Sequence, residues 1–369
     1  MHIGLIIPGF SADEYDWCIP VVLHLVRRLA RDHDVTIIAL RYPPRIGQYH
    51  VAGATVHALG GADVAGPRRG LLLANALTRL LHIGRARRFD VLHALWADEP
   101  GFVAVIAGRL LHIPSLVSLM GGELVALPEL GYGGRLSLLN RVLSGLALRH
   151  ATTVSVGSRY LEAVAQPFMP GRSLQRLALG VEPDFFAPQG PQIELGRGPQ
   201  LLAVGGLVPV KGQATLIQAL AEMQGAAAQA RLHLVGSGPQ QLELATLAQG
   251  LGVQQRVMMH GAVPHEQLPE YYRAADLCLL GSRYESQCMA VVEAAACGRV
   301  TAGSAVGMMP ELGLPTPPGD AQALAALVSG LLAVPERLRA LGVQRRLLVE
   351  QRYSMVQTVQ SLEQLYWAR

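Results

Sequence analysis

The basic residue of most chemical interest is Lys211, because the other thirty cationic side chains of this 369-residue sequence are all arginines. It lies in the glycine-rich run Val204–Gly212. A lysine ammonium is a compact point charge on a thin stem, whereas an arginine guanidinium is a wide planar fork. Such a charge can neutralise a phosphate in a narrow cleft. Lys211 is therefore a candidate phosphate ligand, and the alternative is a surface residue of an arginine-biased sequence.

A second polar group follows the apolar run Leu277–Leu280, where a polar turn leads into an apolar helix that begins near Met289. Free backbone N–H groups and the helix dipole make such a turn a site for an anion. Glu285 and Glu293 lie eight positions apart, a helical rise of about 12 Å. Carboxylates accept hydrogen bonds from sugar hydroxyls, so this spacing fits a diphosphate with hydroxyl-bearing rings at both ends.

The simpler interpretation is that Glu285 is a helix-terminal charge and Glu293 a solvated helix position. Glu293, however, stands among alanines and valines, where a buried carboxylate needs a specific partner. The combination with Lys211 favours the diphosphate interpretation.

The elements that would position these residues alternate between strand-like and helix-length segments, which is typical of parallel α/β architecture. We predict two Rossmann-like, doubly wound domains that face each other across a cleft, with ligands beyond the carboxyl ends of the strands. Strands are expected near 3–7, 34–40, 90–94, 115–119, 152–156, 174–178, 201–204, 231–235, 256–260, 277–280 and 299–302.

The domain organisation follows from the turn-rich segment near residue 190. We predict an N-terminal acceptor-side domain over 1–185, a linker over 186–198 and a nucleotide-binding domain over 199–350. The last helix, 351–369, is expected to cross back to the N-terminal domain.

Composition restricts the class of protein further. Half of the residues are apolar and no uninterrupted apolar run reaches about 18 residues, so no membrane-spanning helix is expected. The first residues resemble a buried strand rather than a secretory signal. The four cysteines are scattered without a Cys-x-x-Cys pair, which favours reduced thiols in a cytoplasmic protein and argues against zinc.

The net charge of +4 lies entirely in the first half, which holds 18 basic and 14 acidic residues up to position 185. This excess is too small to indicate nucleic-acid binding, and an anionic membrane surface or acceptor fits better. The arginine- and leucine-rich segment 68–88 could lie on the inner face of the plasma membrane, although such a stripe is more often a domain helix with a solvated face.

Several of these segments together resemble retaining glycosyltransferase family 4, which has the GT-B fold. The resemblance rests on Glu285 and Glu293 at their spacing, followed by Glu-Ala-x-Ala-Cys-Gly at 293–298, and on ordered matches at 179–182, 204–212, 234–239 and 306–311. It implies transfer of a hexose from a nucleoside-diphosphate sugar, most simply a UDP or GDP sugar, to a glycan, lipid-linked or small-molecule acceptor. No further cofactor and no metal are implied.

The resemblance also implies roles for individual residues. Lys211 and Glu285 would be catalytic, with Lys211 on the diphosphate, Glu285 on the transferred sugar and Glu293 on the ribose hydroxyls. The other donor-binding residues would be Gly205, Gly206, Gly261, Val263, Gln287, Cys288, Met289 and Ala290. The acceptor-side residues would be Gly9, Phe10, His93, Met120, Gly121 and Glu123, among which a satisfied core histidine is the more ordinary interpretation of His93.

Three positions depart from the family pattern. Gly206 stands where an arginine is usual, Met120 where a histidine is usual, and the turn at Gln287 and Cys288 lacks a glycine. Arg283 could replace the missing arginine or be a solvated loop charge. These departures keep open a transferase-like protein that binds a nucleotide or glycan with little or no turnover. A related epimerase, or a phosphorylase using pyridoxal phosphate on Lys211, is a further alternative.

Overall fold

The computed structural model describes residues 1–367, which divide into two units. Unit 1 comprises Met1–Leu179 together with the described residues from Met355 onward, and unit 2 comprises Gly180–Ser354. The division therefore falls a few residues before the predicted boundary at 185. The expected linker 186–198 lies within unit 2, where the Arg273 guanidinium donates to the carbonyls of Ala187 and Pro191.

Unit 1 is built on an eight-stranded sheet with the order β3-β4-β2-β1-β5-β6-β7-β8. Its strands are β1 His2–Gly9, β2 Asp34–Tyr42, β3 Ile46–Val51, β4 Ala54–Leu59, β5 Val91–Leu95, β6 Ser115–Leu119, β7 Thr153–Val156 and β8 Gln175–Arg176. The helices are α1 Pro20–Leu29, α2 Arg68–Ala86, α3 Glu99–Leu111, α4 Leu138–His150 and α5 Arg159–Ala165. The central strands β1, β5 and β6 are almost entirely buried, as expected where helices cover both faces of a parallel sheet.

The antiparallel hairpin of β3 and β4 is absent from the predicted strands. β3 lies at the edge of the sheet and most of its side chains are exposed, so it has no apolar run to indicate it. β4 pairs in parallel with β2, with Thr36 opposite Thr55.

Unit 2 contains a six-stranded, fully parallel sheet with the order β11-β10-β9-β12-β13-β14. Its strands are β9 Gln200–Val204, β10 Arg231–Val235, β11 Val257–Gly261, β12 Leu277–Leu280, β13 Thr301–Ser304 and β14 Leu314–Thr316. The helices are α6 Gln213–Glu222, α7 Gln241–Gly250, α8 Leu268–Ala274, α9 Met289–Ala296, α10 Met309–Leu312, α11 Ala321–Leu332 and α12 Pro335–Arg352. The strand order reverses between β9 and β12, which is where ligands bind in such sheets.

The last helix, α13 (Met355–Trp367), belongs to unit 1. The Tyr366 hydroxyl lies 2.7 Å from Nδ1 of His93, and Thr358 donates to the Ala178 carbonyl at 3.0 Å. Ala368 and Arg369, the end of the predicted segment 351–369, lie outside the described residues.

Each unit has its own apolar core between its sheet and its helices. The predicted class, doubly wound parallel α/β domains, is confirmed for both units. Among residues 1–367, no helix is both long and apolar enough to cross a membrane.

Candidate functional site

Three loops meet at the carboxyl edge of the sheet of unit 2, at the reversal of strand order. The loop after β9 bonds the loop after β10 through Leu207 N and Ser237 O at 3.0 Å. It bonds the loop after β12 through Arg283 N and Val210 O at 2.8 Å. Gly212 has φ +59° and lies close to the loop after β12. A Cβ at Gly212 would be 2.2 Å from the Gly281 carbonyl oxygen. The loops that carry Lys211 and Glu285 are therefore joined directly.

The Lys211 ammonium forms an ion pair with Glu285, with 2.6 Å between Nζ and Oε1. The Ser282 hydroxyl donates to the same oxygen at 2.8 Å. The Lys211 side chain is 32% exposed and the Glu285 side chain 10%, so a nearly buried carboxylate holds a more accessible cation. The two residues that the sequence placed around a diphosphate are thus direct neighbours, an arrangement that their separation of 74 positions does not reveal.

The N-terminus of α9 lies in the same loop system. Cys288, which precedes the helix, has φ +70°, a backbone conformation that costs energy in a residue with a Cβ. The Gln287 carbonyl accepts from Met308 N at 2.8 Å. Because the first N–H groups of a helix have no partner within it, the backbone of Gln287, Cys288, Met289 and Ala290 can bind an anion. Burial raises the pKa of the Cys288 thiol, so this side chain is neutral and packs rather than reacts.

Glu293 lies on the buried face of α9 and has a specific partner, as the sequence analysis required. The Tyr272 hydroxyl donates to its Oε2 at 2.7 Å. Burial raises the pKa of Glu293 to about 7, against a smaller lowering by the Tyr272 hydrogen bond. Tyr272 was not among the predicted site residues, and its signal in the sequence was limited to the tyrosine pair at 271–272 in a short helix. Near neutral pH this carboxyl can accept hydroxyl hydrogen bonds as a carboxylate.

The predicted donor-binding residues Gly261 and Val263 follow His260 at the end of β11. His260 stacks on His233, with ring centroids 5.1 Å apart and 2.9 Å between Nε2 and Nδ1, and Tyr271 packs edge-on against it. Burial lowers the pKa of both histidines, to about 4 for His233, so both are neutral at pH 7. Gly261 follows with φ +71° and leads towards Val263.

The structure shows what surrounds Gly206, which departs from the family pattern, and Arg283, which could replace the missing arginine. At Gly206 a Cβ would be 3.6 Å from the nearest atom, the Ser237 carbonyl oxygen, and the Gly206 carbonyl accepts from the Gln213 amide at 2.8 Å. Gly205 has φ +152°. Arg283 is exposed and its guanidinium lies against Gly319.

Within unit 1, the predicted acceptor-side residues lie in β1 and β5 or directly after β1 and β6. Phe10 is buried, and Gly9 lies against Tyr42, whose Cβ would be 2.9 Å from a Cβ at that glycine. His93 is completely buried, with Nε2 2.8 Å from the Ser118 hydroxyl and Nδ1 on Tyr366, and burial lowers its pKa to about 3. It is therefore a satisfied core histidine, and neither nitrogen is available to an acceptor.

Glu123 organises the loop after β6. Its carboxylate accepts from the backbone N–H groups of Met120 at 2.9 Å and Gly121 at 2.7 Å. Burial raises its pKa to about 7, despite the lowering by these N–H groups. Trp96, with φ +77°, lies over this loop, where a Cβ at Gly121 would be 2.7 Å from the indole nitrogen. Sequence reasoning missed Trp96, since nothing in its neighbourhood indicates a strained conformation.

Within residues 1–367, no group of three or more histidine, cysteine, aspartate or glutamate side chains is arranged to hold a metal ion. The described cysteines form no disulfide, and all but Cys18 are buried.

Comparison with known families covers most of the chain in two parts. Residues 191–346 match the glycosyl transferases group 1. Residues 18–168 match the glycosyl transferase 4-like domain. The first match contains the three-loop site, and the second contains the loop around Glu123.

Curated relatives match over part of their length. The chain is 33% identical over 217 residues to the GDP-mannose-dependent alpha-(1-6)-phosphatidylinositol monomannoside mannosyltransferase of Mycolicibacterium smegmatis, covering 53% of this chain and 57% of the relative. It is 36% identical over 179 residues to the D-inositol 3-phosphate glycosyltransferase of Segniliparus rotundus, covering 44% and 40%. The matches thus span about half the length of these relatives.

Solved structures match over nearly the whole chain. Sucrose-phosphate synthase from Thermosynechococcus elongatus superposes with a TM-score of 0.80 at 23% identity, covering 99% of this chain and 98% of the other. Anabaena Alr3699/HepE in complex with UDP and glucose superposes with a TM-score of 0.76 at 20% identity, covering 99% of both chains. At these identities the likeness establishes the fold.

Proposed function

Because the chain belongs to the family of glycosyl transferases group 1 with a glycosyl transferase 4-like domain, we propose that it is a retaining hexosyltransferase. It would move a hexose from a nucleoside-diphosphate sugar to a glycan, lipid-linked or small-molecule acceptor. The observation that carries this proposal is the Lys211 ammonium, held 2.6 Å from Glu285 in the loop system that contains the N-terminus of α9.

The chemistry of the step explains why these groups are needed. As the bond from the sugar to the diphosphate breaks, negative charge grows on the departing nucleotide, and fixed positive charge stabilises it. Lys211 and the backbone N–H groups at 287–290 would supply that charge. Glu285 would hold the ammonium in place and accept a hydrogen bond from the transferred sugar. Attack from the leaving-group face would give the retained configuration that the family resemblance implies.

The remaining donor contacts would come from other residues of unit 2. Glu293 would accept hydrogen bonds from the ribose hydroxyls, and His260, Gly261 and Val263 would line the base pocket. The relatives support both UDP and GDP, since one solved structure is a UDP complex and one relative is named as GDP-mannose-dependent.

The acceptor side and the place of action belong to the same proposal. The names of the relatives include a phosphatidylinositol mannoside and an inositol phosphate, which favours a lipid-linked or small phosphorylated acceptor. The described cysteines are free thiols, which fits a reducing compartment, so we place the reaction in the cytoplasm. A lipid acceptor of the kind named for one relative would place it at the inner face of the plasma membrane.

The test begins with thermal-shift screening against a panel of UDP, GDP and ADP sugars, followed by mass spectrometry of the donor that binds. Lys211→Ala should weaken its binding in calorimetry by roughly 30-fold or more, the loss expected for a charge-assisted contact. Lys211→Arg is the matched control, because it keeps the charge and should lose less affinity. Unchanged affinity in Lys211→Ala would overturn the proposed site.

A second function is favoured by Gly206 and Met120, which remove a cation and a histidine from the family pattern. Such a protein would bind a nucleotide or glycan without turnover. Sugar transfer, or slow hydrolysis of the donor detected by mass spectrometry, would eliminate it.

A further inference from the structure

Helix α4 of unit 1 presents a row of large apolar side chains to solvent. Leu138 is 73% exposed, Val142 50% and Leu146 38%, and these residues follow one another at intervals of four positions. Leu139, 41% exposed, widens the row. The opposite face of the helix carries Leu143 and Leu148, which are part of the core of unit 1. α4 is therefore apolar on two sides, and only one of them is covered within the described chain.

Basic side chains surround this face. No acidic residue occurs between positions 130 and 161, a stretch that contains the arginines Arg135, Arg141, Arg149 and Arg159. At the N-terminal end of α4, Arg135 lies over the Phe168 ring, 4.6 Å from its centroid. At the C-terminal end, an Arg109 Nη2 lies 2.8 Å from His150 Nδ1, and Arg172 donates to the Ala151 carbonyl at 2.6 Å.

The segment 68–88, for which the sequence left membrane contact open as the less usual alternative, has a different arrangement. In α2 the leucines Leu72, Leu73 and Leu80 are buried in the core, and Leu71 is the large apolar side chain that is exposed. The arginine and leucine pattern of 68–88 is thus that of a domain helix. The exposed apolar row belongs to α4.

We propose that the α4 face, consisting of Leu138, Leu139, Val142, Leu146 and the arginines around them, docks on an anionic lipid bilayer. Leucine and valine side chains flanked by arginine are the composition of helices that lie in the membrane interface, where the apolar row enters the lipid and the cations meet the headgroups. The same arginines would repel each other in a contact between two copies of this face. Charge complementarity therefore favours a lipid surface over a second copy.

This surface does not require the proposed sugar transfer, but it would serve it. The segment leading into α4 is bonded to the loop of Met120–Glu123 through Gly134 N and Gly122 O at 2.8 Å. A helix seated on lipid would hold this loop, which contains predicted acceptor-side residues, close to a lipid-linked acceptor.

The test is flotation of the full chain with vesicles of phosphatidylcholine containing about one-third phosphatidylglycerol, and with phosphatidylcholine alone. We expect the protein to float with the anionic vesicles and to be released by high salt. The triple variant Leu138→Gln, Val142→Gln, Leu146→Gln should lose roughly tenfold or more of this binding. The matched control is Ile46→Gln, Leu71→Gln, Leu242→Gln, which removes three other exposed apolar side chains and should float like the parent.

A second measurement keeps the test independent of any loss of folding in the triple variant. In Val142→Trp, fluorescence should be quenched by brominated lipids when anionic vesicles are added, relative to the parent protein. Absence of vesicle binding by the parent, equal binding by the triple variant, or an unquenched tryptophan at 142 would overturn the proposal. Self-association that the triple variant abolishes, without any vesicle binding, would overturn it in favour of a second copy. Donor binding should be the same in all these variants, so failure here is distinguishable from failure of the proposed function.

Discussion

The Glu293 carboxyl shows how one buried residue can link donor binding to pH. Hydroxyl groups of a ribose donate hydrogen bonds, so a bound donor would favour the ionised form of this side chain. Burial holds its pKa at about 7 in the folded protein. The proposed ligand and the solvent proton therefore compete for the same carboxylate near neutral pH.

Donor affinity is accordingly expected to fall as pH falls through 7. A nucleoside-diphosphate sugar should bind about tenfold more weakly for each pH unit well below 7, with a plateau above it. Calorimetry across this range, in buffers of different ionisation enthalpy, should also show proton release on binding. In Glu293→Gln the pH dependence should disappear. A parent profile that is flat between about pH 6 and 8 would contradict this role for Glu293.

Tyr272→Phe tests the pKa of Glu293 by removing the hydroxyl that donates to its carboxyl. The tyrosine hydroxyl lowers the pKa of Glu293 by donating to it, so its removal should move the affinity profile to higher pH. At neutral pH the variant should bind the donor more weakly, and at high pH the parent affinity should return. A uniform loss of affinity at every pH would indicate a packing role for Tyr272 instead.

Sequence patterns predicted most of these residues but not their pairings. Lys211, Glu285 and Glu293 were singled out because their residue types are unusual where they stand. The partners depend on how loops and helices meet: Lys211 reaches Glu285 across 74 positions, and Glu293 reaches Tyr272 across the packing of α8 on α9. No local pattern contains that information.

At the scale of elements, the loop after β9 is held against the loop after β12 by the absence of a side chain at Gly212. Gly225 provides a matched comparison, since both glycines have φ +59° but a Cβ at Gly225 would meet nothing within 4 Å. Gly225→Ala should cost about 1 kcal/mol of unfolding free energy, the price of the left-handed backbone alone. Gly212→Ala should cost about 2 to 4 kcal/mol, because the Gly281 carbonyl must also move.

Urea unfolding measures the loss of unfolding free energy in each variant. Donor calorimetry then distinguishes the two variants by their affinity for the donor. Gly212→Ala should weaken donor binding because it separates Lys211 from Glu285, whereas Gly225→Ala should leave affinity unchanged. Equal effects of the two substitutions would show that the contact between the two loops contributes nothing to the site.

The last helix gives a second prediction at this scale. Tyr366→Phe would leave Nδ1 of the completely buried His93 without its partner on α13. The expected loss of unfolding free energy is about 1 to 3 kcal/mol. Tyr15→Phe, at a tyrosine that is 88% exposed, is the control and should change stability little. Equal unfolding midpoints in urea for the two variants would show that the His93–Tyr366 bond does not stabilise unit 1.

Elements were predictable where burial dictates composition. The central strands are rich in apolar residues, which indicated them in the sequence. They lie within a few residues of their predicted positions. The hairpin of β3 and β4 was missed because its edge strand is largely exposed. Membrane contact was considered for α2 because its sequence combines arginine and leucine densely, and the same composition also fits a domain helix. Which face of an amphipathic helix the core covers depends on the neighbours, and α4 keeps its apolar row exposed.

At the scale of the whole molecule, each unit contains a buried carboxyl with a raised pKa and a buried histidine with a lowered pKa, and the two shifts affect stability in opposite ways. Folding raises the pKa of Glu123 and Glu293 from 4.5 to about 7. It lowers the pKa of His93 from 6.5 to about 3 and that of His233 to about 4. Below 6.5 the unfolded chain binds the histidine protons, whereas between 4.5 and 7 the folded chain binds the carboxyl protons.

These signs predict that the four groups together stabilise the fold most at weakly acidic pH, between about 4.5 and 6.5. As pH rises from about 4.5 to 6.5, the histidines add stability while the carboxyls remove it, and above 6.5 only the carboxyl loss continues until both are ionised. A shift of this size corresponds to about 3 kcal/mol for each carboxyl. The double variant Glu123→Gln, Glu293→Gln keeps the histidine contributions and removes the carboxyl ones.

The stability of the double variant relative to the parent should therefore increase with pH. The difference in unfolding free energy should change by several kcal/mol from about pH 5 to about pH 8, in favour of the variant at the higher pH. Groups other than the two carboxyls cancel in this difference, so urea unfolding of both proteins at matched pH isolates the two buried acids. A difference that stays constant would mean that both carboxyls ionise in the folded protein at their ordinary pKa. The pH dependence of donor binding attributed to Glu293 would then be lost as well, because it depends on the same raised pKa.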